Sequence, residues 1–279
     1  LIFHINMNDE VYRGLCEIIY NSSRMHMTPE KKSLLTSRLS HHKRLLQAQD
    51  WDAYLEKLKE SSSADEIECL IDLAVTNHTY FFREPSHFER LPSEYLDEKL
   101  NNFAAIQKPI QCWSVASSSG EEAFSLAITL AEYSKKYPAV SWKIYGTDIS
   151  RRIIEKAKNC IYKIDLLNLP DEDFLSIYFR RGSGIYDGYC KVKEHLLKDV
   201  EFFQANVFQE ILPVPDRLDL IFCRNILIYF DFSSRQQLIS RLENMLEPGG
   251  LLFIGQTENI FNIRHNLQSL GGGIFRRSN

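Results

Sequence analysis

The 279-residue chain carries 33 Lys and Arg against 37 Asp and Glu, so its net charge of -4 provides no basic field for nucleic acid. No apolar run approaches the roughly 18 residues that a bilayer requires, which argues against direct membrane insertion. Six cysteines without a C-x-x-C pair predict reduced thiols in a cytoplasmic protein, and no His, Cys and Asp cluster has the spacing of metal ligands.

Residues 1–84 are predicted to form a small helical domain and a linker. Apolar residues at helical spacing, with capping residues at their starts, predict helices at residues 9–20, 28–47, 51–60 and 63–73. The fourth helix begins with a capping box in which Ser63 is the first residue. No β-rich run interrupts this part of the chain.

From residue 109 onward, strands and helices alternate. A short, nearly continuous apolar run predicts a strand at residues 110–116, and further strands are predicted at 142–147, 200–205, 218–223 and 251–255. Such alternation implies a parallel sheet with right-handed crossovers, and therefore an α/β domain over residues 85–279. Residues 160–198 break the alternation, and glycines between aromatic and alternating segments predict a small antiparallel hairpin inserted there.

Small and acidic residues follow the first two strands. Residues 116–120 read A-S-S-S-G, which allows a ligand to approach the backbone closely, although the G-x-G-x-x-G dinucleotide fingerprint is absent. Glu121 and Glu122 then open a helix, where they either complement its dipole or accept from a cationic ligand. Asp148 ends the second strand; it either accepts from ribose hydroxyls or caps the next helix, a task for which Ser150 is also available.

Two asparagines follow later strands of the sheet. Asn206 and Asn225 each offer a donor and an acceptor, which suits an adenine edge or a methionine backbone, and either can equally be a turn residue. Small residues after the first strand, an acid at the second and the absence of a phosphate loop together favour S-adenosylmethionine over NAD or ATP.

Five motifs occur in order along the chain. They are T-N-H-T-Y-F-F-R-E (76–84), W-S-V-A-S-S-S-G-E-E (113–122), G-T-D-I-S (146–150), I-F-C-R-N-I-L-I-Y-F (221–230) and L-F-I-G-Q-T-E-N (252–259). As a set they resemble the CheR-type chemoreceptor glutamate methyltransferases over nearly the whole chain. The resemblance implies a helical domain joined to a Rossmann-like α/β domain with a small antiparallel β subdomain. It also implies methyl transfer from S-adenosyl-L-methionine to receptor glutamates, with S-adenosyl-L-homocysteine as product.

The resemblance further implies which residues form the site. The positions that match cofactor-binding residues of the family are Asn77, Thr79, Arg83, Glu122, Asp148, Asn206, Val207, Asn225 and Ile226. Glu122 would reach the methionine part of the cofactor and Asp148 its ribose. Arg83 and Tyr229 are the candidates for contacts near the transferring methyl group. Gln256 stands where the family usually has His, which weakens any proposal of a His base at this position.

An acidic receptor surface is the partner that the charge pattern favours. Residues 24–47 hold six Lys and Arg against one acid, so we expect this basic helix, including Arg38, to dock on a receptor's cytoplasmic helical bundle; the alternative is a solvated helix face. In the family, the β subdomain can bind a receptor's C-terminal peptide by strand addition, and the alternative here is a structural excursion. Nothing in the sequence demands more than a monomer.

Two other functions stay open on the sequence. One is a methyltransferase for another substrate, and the other is a module that binds S-adenosylmethionine without turnover.

Overall fold

A computed structural model describes residues 7–60, 64–100 and 108–278. The chain divides into two compact units. Leu1–Thr76 and Tyr229–Ser234 form what we call the helical unit, and Asn77–Ile228 with Arg235–Asn279 form the sheet unit. Within the described ranges, every helix is too short or too polar to span a bilayer.

The helical unit contains the helices α1 (Asp9–Ser23), α2 (Lys32–Leu45), α3 (Trp51–Glu60) and α4 (Ala64–Ala74). Asn8 starts α1 because its Oδ1 accepts from the backbone N–H of Val11 at 2.8 Å. Val11 and Ile19 then bury the apolar face of this helix. The second predicted helix is shorter than expected, because Pro29–Lys31 form a separate 3-10 turn before α2. The predicted cap Ser63 lies outside the described residues.

Arg38 of α2 has a structural role. Its Nη1 donates to three successive carbonyl oxygens at the end of α4, residues 73–75, at distances of 2.9 to 3.3 Å. Its Nη2 donates to Thr76 Oγ1 at 3.1 Å. The last carbonyls of a helix lack partners within it, so the guanidinium caps α4. These contacts give Arg38 a role inside the helical unit, and its expected part in receptor docking stays a prediction.

The sheet unit contains β1 (Ile110–Val115), β2 (Trp142–Asp148), β3 (Ile161–Lys163), β4 (Phe179–Arg181), β5 (Tyr189–Val192), β6 (Val200–Gln204), β7 (Leu218–Cys223), β8 (Leu246–Ile254), β9 (Leu267–Gly271) and β10 (Ile274–Arg277). The main sheet has the order β6-β2-β1-β7-β8-β10-β9. The first five strands in this order run parallel, and β10 and β9 are antiparallel. The predicted α/β fold is confirmed; the final hairpin of β9 and β10 was not predicted.

The remaining helices are α5 (Ser86–Leu91), α6 (Asp97–Leu100), α7 (Glu121–Lys136), α8 (Arg151–Asn159), α9 (Asp173–Tyr178), α10 (Glu194–Leu197) and α11 (Phe232–Met245), with a π-helical turn at Pro92–Leu96. The core lies around β1 and β7, where every residue of β7 is buried. Phe222 stacks on Phe253 of β8 with ring centroids 4.2 Å apart. Such buried aromatic pairs contribute both apolar burial and a preferred ring geometry.

The inserted segment forms a second, antiparallel sheet with the order β3-β5-β4. The predicted hairpin corresponds to β4 and β5, and β3 adds a third strand. Tyr162 of β3 joins this small sheet to the main one, because its Oη donates to the carbonyl oxygen of Ser119 at 2.7 Å. Its ring also packs edge-on against Phe81, with centroids 4.9 Å apart.

The topology brings several loop residues to one edge of the main sheet. The strand β1 lies between β2 and β7: the chain passes from β1 to β2 and β6 on one side, and then crosses to β7 on the other side, so the strand order reverses at β1. A crevice forms at such a switch point, outside the carboxyl ends of the strands, and ligands of open α/β sheets bind there. Residues 116–120, Asp148 and Asn225 all follow or end these three strands.

Candidate active site

The turn between β1 and α7 has a backbone that favours small residues. Ala116 and Ser118 have positive φ angles of 52° and 50°, and Gly120 has a φ of 96°. A side chain at Gly120 would also place its Cβ 3.0 Å from Tyr162 Oη and 3.1 Å from Phe202 Cζ. The turn therefore needs glycine at this position for both backbone and packing reasons.

Two serine hydroxyls at this turn are buried without a hydrogen-bond partner among the described residues, those of Ser117 and Ser118. The two residues are 1% and 7% exposed. A buried hydroxyl without a partner costs free energy unless a ligand or water satisfies it. The turn thus presents two polar groups to a bound molecule.

Asp148 is fixed beside the same turn. Its Oδ2 accepts from the backbone N–H of Ser118 at 3.0 Å, and its Oδ1 accepts from that of Ser150 at 3.0 Å. The side chain of Ser150 caps α8 by accepting from Ile153 N at 3.2 Å, as the sequence allowed. The backbone thus holds the Asp148 carboxylate at the end of β2, and the residue is 5% exposed.

Glu122 takes part in a buried ionic network with two residues that were not singled out from the sequence, Glu84 and Arg224. Its Oε1 accepts from Ser114 Oγ at 2.7 Å, and its Oε2 accepts from Arg224 Nη1 at 3.1 Å. Arg224 Nη2 donates to Glu84 Oε2 at 3.1 Å and also to the carbonyl oxygen of Arg83. The network connects the residues before α5, the start of α7 and the end of β7.

The charges of this network depend on one another. Burial raises the pKa of Glu122, and the positive charge of Arg224 opposes part of that rise. Burial also acts to raise the pKa of Glu84, but the charge of Arg224 and a hydrogen bond from Asn225 outweigh it, so this pKa is lowered. Arg224 is therefore the cation that lowers the pKa of both neighbouring carboxyls, against the effect of burial.

Asn225 has a left-handed backbone with a φ of 59°, and Glu258 holds it there. Glu258 Oε2 accepts from the N–H groups of Asn225 and Gly255, and its Oε1 accepts from that of Leu227, each at 2.8 Å. The Asn225 side chain donates through Nδ2 to Glu84 Oε1 at 3.2 Å. Ile226, the next predicted residue, is 8% exposed.

Asn206 and Val207 lie in the loop after β6. Asn206 Oδ1 accepts from Phe208 N at 2.9 Å, so this side chain stabilises its own turn. Arg241 of α11 donates to the carbonyl oxygen of Val207 at 2.9 Å and thereby fixes the loop. Asn206 is thus a turn residue, one of the two roles that the sequence left open. The contact of Asn206 with a cofactor stays a prediction.

The segment before α5 carries the other predicted residues of the sheet unit. Asn77 and Thr79 are half-buried. Arg83 donates from Nη1 to the carbonyl oxygen of His78 at 2.9 Å, and its guanidinium lies 6.0 Å from the ring centroid of Tyr80.

Tyr229 belongs to the helical unit. Its Oη donates to the carbonyl oxygen of Thr76 at 3.3 Å, and the ammonium of Lys31 lies 5.1 Å from its ring centroid. The next residue, Phe230, forms an isolated antiparallel bridge with Met25. The predicted roles of Arg83 and Tyr229 near the methyl group stay predictions.

Three residues of this region were missed from the sequence, although each lies in a quoted motif: Glu84, Arg224 and Glu258. A signal was present for Arg224, because an arginine directly after four consecutive apolar residues of a strand, 220–223, requires buried carboxylates as partners. Glu258 gave no such signal. Its carboxylate oxygens accept from backbone N–H groups, and these groups come close to Glu258 only in the folded chain. In the described ranges, no group of three or more His, Cys, Asp or Glu side chains could hold a metal ion.

Comparison with known proteins identifies relatives over almost the whole chain. The family model described as "CheR methyltransferase, all-alpha domain" matches residues 10–74, and "CheR methyltransferase, SAM binding domain" matches residues 77–275. A chemotaxis protein methyltransferase of Salmonella typhimurium is 33% identical over 98% of this chain and 91% of its own length. One of Borreliella burgdorferi is 36% identical over 92% of each chain. Chemotaxis protein methyltransferase 2 of Pseudomonas aeruginosa is 32% identical over 98% and 94%.

Proposed function

This chain belongs to the CheR methyltransferase family, and we propose that it transfers the methyl group of S-adenosylmethionine to glutamate side chains of chemotaxis receptors, forming methyl esters. The observation that carries the proposal is the match of both family domains, together with relatives that align over more than nine-tenths of their own length. The buried polar groups at the edge of the main sheet support it, because they are the kind of site that a nucleoside needs.

The residues at this edge fit S-adenosylmethionine. The unpartnered hydroxyls of Ser117 and Ser118 can hydrogen-bond to a polar ligand, and the nearby Glu122 would repel a phosphate group but suits a cation. We propose that Asp148 binds the ribose and Glu122 the methionine part. The other proposed cofactor contacts are Asn77, Thr79, Arg83, Asn206, Val207, Asn225 and Ile226. When bound, the cofactor supplies a methyl group on a positively charged sulfonium.

The proposed work of the protein is alignment rather than proton transfer. A glutamate acceptor has a pKa of about 4.3 and is already ionised near neutral pH, so no general base is required. Gln256 donates from Nε2 to Ser86 Oγ at 2.7 Å and does not titrate, in agreement with this view. We propose that Arg83 and Tyr229 orient the acceptor carboxylate, since holding reacting groups in line contributes several kcal/mol to catalysis.

We propose the cytoplasmic helical bundle of a receptor as the protein substrate and α2 as a contact surface. His41 and Arg44 of α2 are exposed. Leu34 and Leu45 on the same helix are 46% and 64% exposed. Spacings of three, four and seven residues place these side chains along one stripe of the helix. A stripe with both basic and apolar groups suits a helix surface that carries acidic and apolar side chains.

We propose the small sheet as a binding site for a receptor's C-terminal peptide. A cavity of about 170 Å³ beside β4 and β5 is lined by cationic and aromatic side chains, namely Arg180, Arg181, Lys191, Tyr186 and Tyr189. The strand β4 lies at an edge of its sheet, where an added strand can pair. Because the receptor bundle is cytoplasmic, we propose a cytoplasmic enzyme. We also propose a monomer, because every contact described above lies within one chain.

Incubation of the protein with tritiated S-adenosylmethionine and receptor-containing membranes tests the function. Base-labile label on the receptor is the expected result. Label on another protein or on a small molecule would indicate a methyltransferase with a different substrate. Cofactor binding without any transferred label would indicate a binding module and contradict the proposal.

A further inference from the structure

Arg224 is the most completely buried charged side chain of the ionic network, with 1% of the side chain exposed. It ends the buried run of β7, and its guanidinium contacts two segments that carry proposed site residues. One contact is with Glu122 Oε2, at the start of α7. The others are with Glu84 and with the carbonyl oxygen of Arg83, in the segment before α5.

These contacts use the shape of the guanidinium as well as its charge. Nη1 faces Glu122, while Nε and Nη2 face Glu84 Oε2 at 3.4 and 3.1 Å. The plane of the guanidinium also lies by the Phe88 ring, with 5.4 Å between the guanidinium carbon and the ring centroid. A lysine ammonium is a point charge on a flexible chain and cannot serve both carboxylates in this fixed geometry.

We propose that Arg224 is a positioning residue for methyl transfer: it holds Arg83 and Glu122 at the edge of the sheet and places a positive charge against the Glu122 carboxyl. This inference rests on the proposed function, which assigns Arg83 to the acceptor and Glu122 to the cofactor. Arg224 acts through these two residues.

Other titratable and charged groups surround the network. His87 Nδ1 lies 3.6 Å from Glu84 Oε2, while its Nε2 contacts the carbonyl oxygen of Gly272 at 2.6 Å. Burial lowers the pKa of His87, so this ring is neutral in the neutral pH range. Arg90 acts on the charge of His87, and Glu122 and Glu258 both act on the buried thiol of Cys223. Removal of Arg224 therefore leaves Glu84 and Glu122 without their main compensating cation.

Two substitutions separate the charge of Arg224 from its shape. Arg224→Lys keeps the charge, so we expect the affinity for S-adenosylhomocysteine to keep its wild-type pH profile while kcat falls by about 30- to 100-fold through misalignment. Arg224→Met removes the charge, so we expect the pKa of Glu122 to rise further and this carboxyl to bind a proton at higher pH than in the wild type. The ligand's ammonium then loses a charged acceptor as the pH falls.

Isothermal titration with S-adenosylhomocysteine from pH 6 to 8.5 measures this effect. As the pH is lowered from 8.5 to 6, we expect the affinity of Arg224→Met to fall about tenfold more than the affinity of the wild type. Glu122→Gln in the Arg224→Met background should abolish the difference. The matched control is Arg217→Met at the other end of β7, where Nη1 donates to the carbonyl oxygen of Asn244 at 3.2 Å; it should keep the wild-type profile.

A wild-type pH profile in Arg224→Met, or a kcat within about threefold of wild type in Arg224→Lys, would each overturn the proposal. If circular dichroism shows that Arg224→Met does not fold, the kcat of Arg224→Lys decides. The titrations need no receptor, so they report on Arg224 even if the wild-type protein does not label receptor membranes. Failure of the wild-type protein to label them would refute the proposed function, and not the role of Arg224.

Discussion

Asp148 illustrates how single residues of the site are held by the backbone. Each of its two carboxylate oxygens accepts an N–H group, one from the turn after β1 and one from the start of α8. The acid therefore positions two loops while its carboxylate stays at the crevice. Glu258 acts in the same way on the far side of β7, where it holds the left-handed backbone of Asn225. Asp148 and Glu258 thus fix the backbone of the loops at the site through hydrogen bonds from N–H groups.

We expect Asp148→Asn to weaken binding of S-adenosylhomocysteine by about 10- to 100-fold. The amide presents a donor where a backbone N–H needs an acceptor, so the turn moves and a ribose acceptor is lost. Isothermal titration gives the affinity. Asp171→Asn is the control, because the exposed Asp171 also accepts from a backbone N–H, that of Asp173 at 2.8 Å, outside the site. Equal affinities of the two variants would contradict the role of Asp148.

We expect Arg83→Ala to lower turnover by about 100-fold and the affinity for S-adenosylhomocysteine by less than about tenfold, because the guanidinium is proposed to orient the acceptor. An ion pair with the acceptor that is too tight would slow attack, so the benefit lies in orientation. Tritium transfer to receptor membranes gives the turnover. Arg151→Ala, an exposed arginine of α8, is the control. A variant that turns over at the wild-type rate would remove Arg83 from the mechanism.

At the scale of elements, the turn from β1 to α7 is the part of the site with the tightest packing. Gly120 lies against Tyr162 of the small sheet and Phe202 of β6. The inserted β subdomain thus supports the same turn that presents the Ser117 and Ser118 hydroxyls. Insertion of this subdomain after α8 is therefore coupled to the site through packing.

Gly120→Ala should lower the free energy of unfolding by about 2 to 3 kcal/mol, since it adds both a strained positive φ and a crowded Cβ. Gly188→Ala is a matched control: Gly188 has a φ of 79° but open space around its Cβ, so only the backbone term of about 1 kcal/mol applies. Urea unfolding of the two variants compares these terms. Equal destabilisation would show that Tyr162 and Phe202 impose no packing constraint.

At the scale of the whole molecule, the proposed cofactor and receptor contacts are divided between the two units. The sheet unit carries the proposed cofactor residues, and the helical unit carries α2 with its exposed basic and apolar side chains. Arg38, the most central cation of that helix, is used to cap α4, so it contributes to stability inside the unit. The proposed receptor contact through α2 assigns this role to the exposed residues His41 and Arg44.

Charge reversal by Arg44→Glu is expected to raise the KM for receptor membranes by about 3- to 10-fold, because the reversed charge repels an acidic receptor surface. Binding of S-adenosylhomocysteine should stay at the wild-type value, since Arg44 belongs to the helical unit. Arg151→Glu gives the same change of charge on the sheet unit and serves as the control. If both variants methylate receptors with the same KM, α2 is not a docking surface.

The sequence by itself determined the helical and α/β parts, the order of the parallel strands along the chain and the edge at which small and acidic residues collect. These features follow from local periodicity and from residues next to strand ends, so they can be read without knowing any contact. Only the tertiary structure decided that Arg38 caps α4, that β9 and β10 extend the sheet, and that Arg224 joins Glu84 and Glu122. The last two partners are 140 and 102 residues from Arg224 in the chain. Contacts at such separations depend on how the elements pack, because no local pattern specifies which distant carboxylate a buried guanidinium will meet.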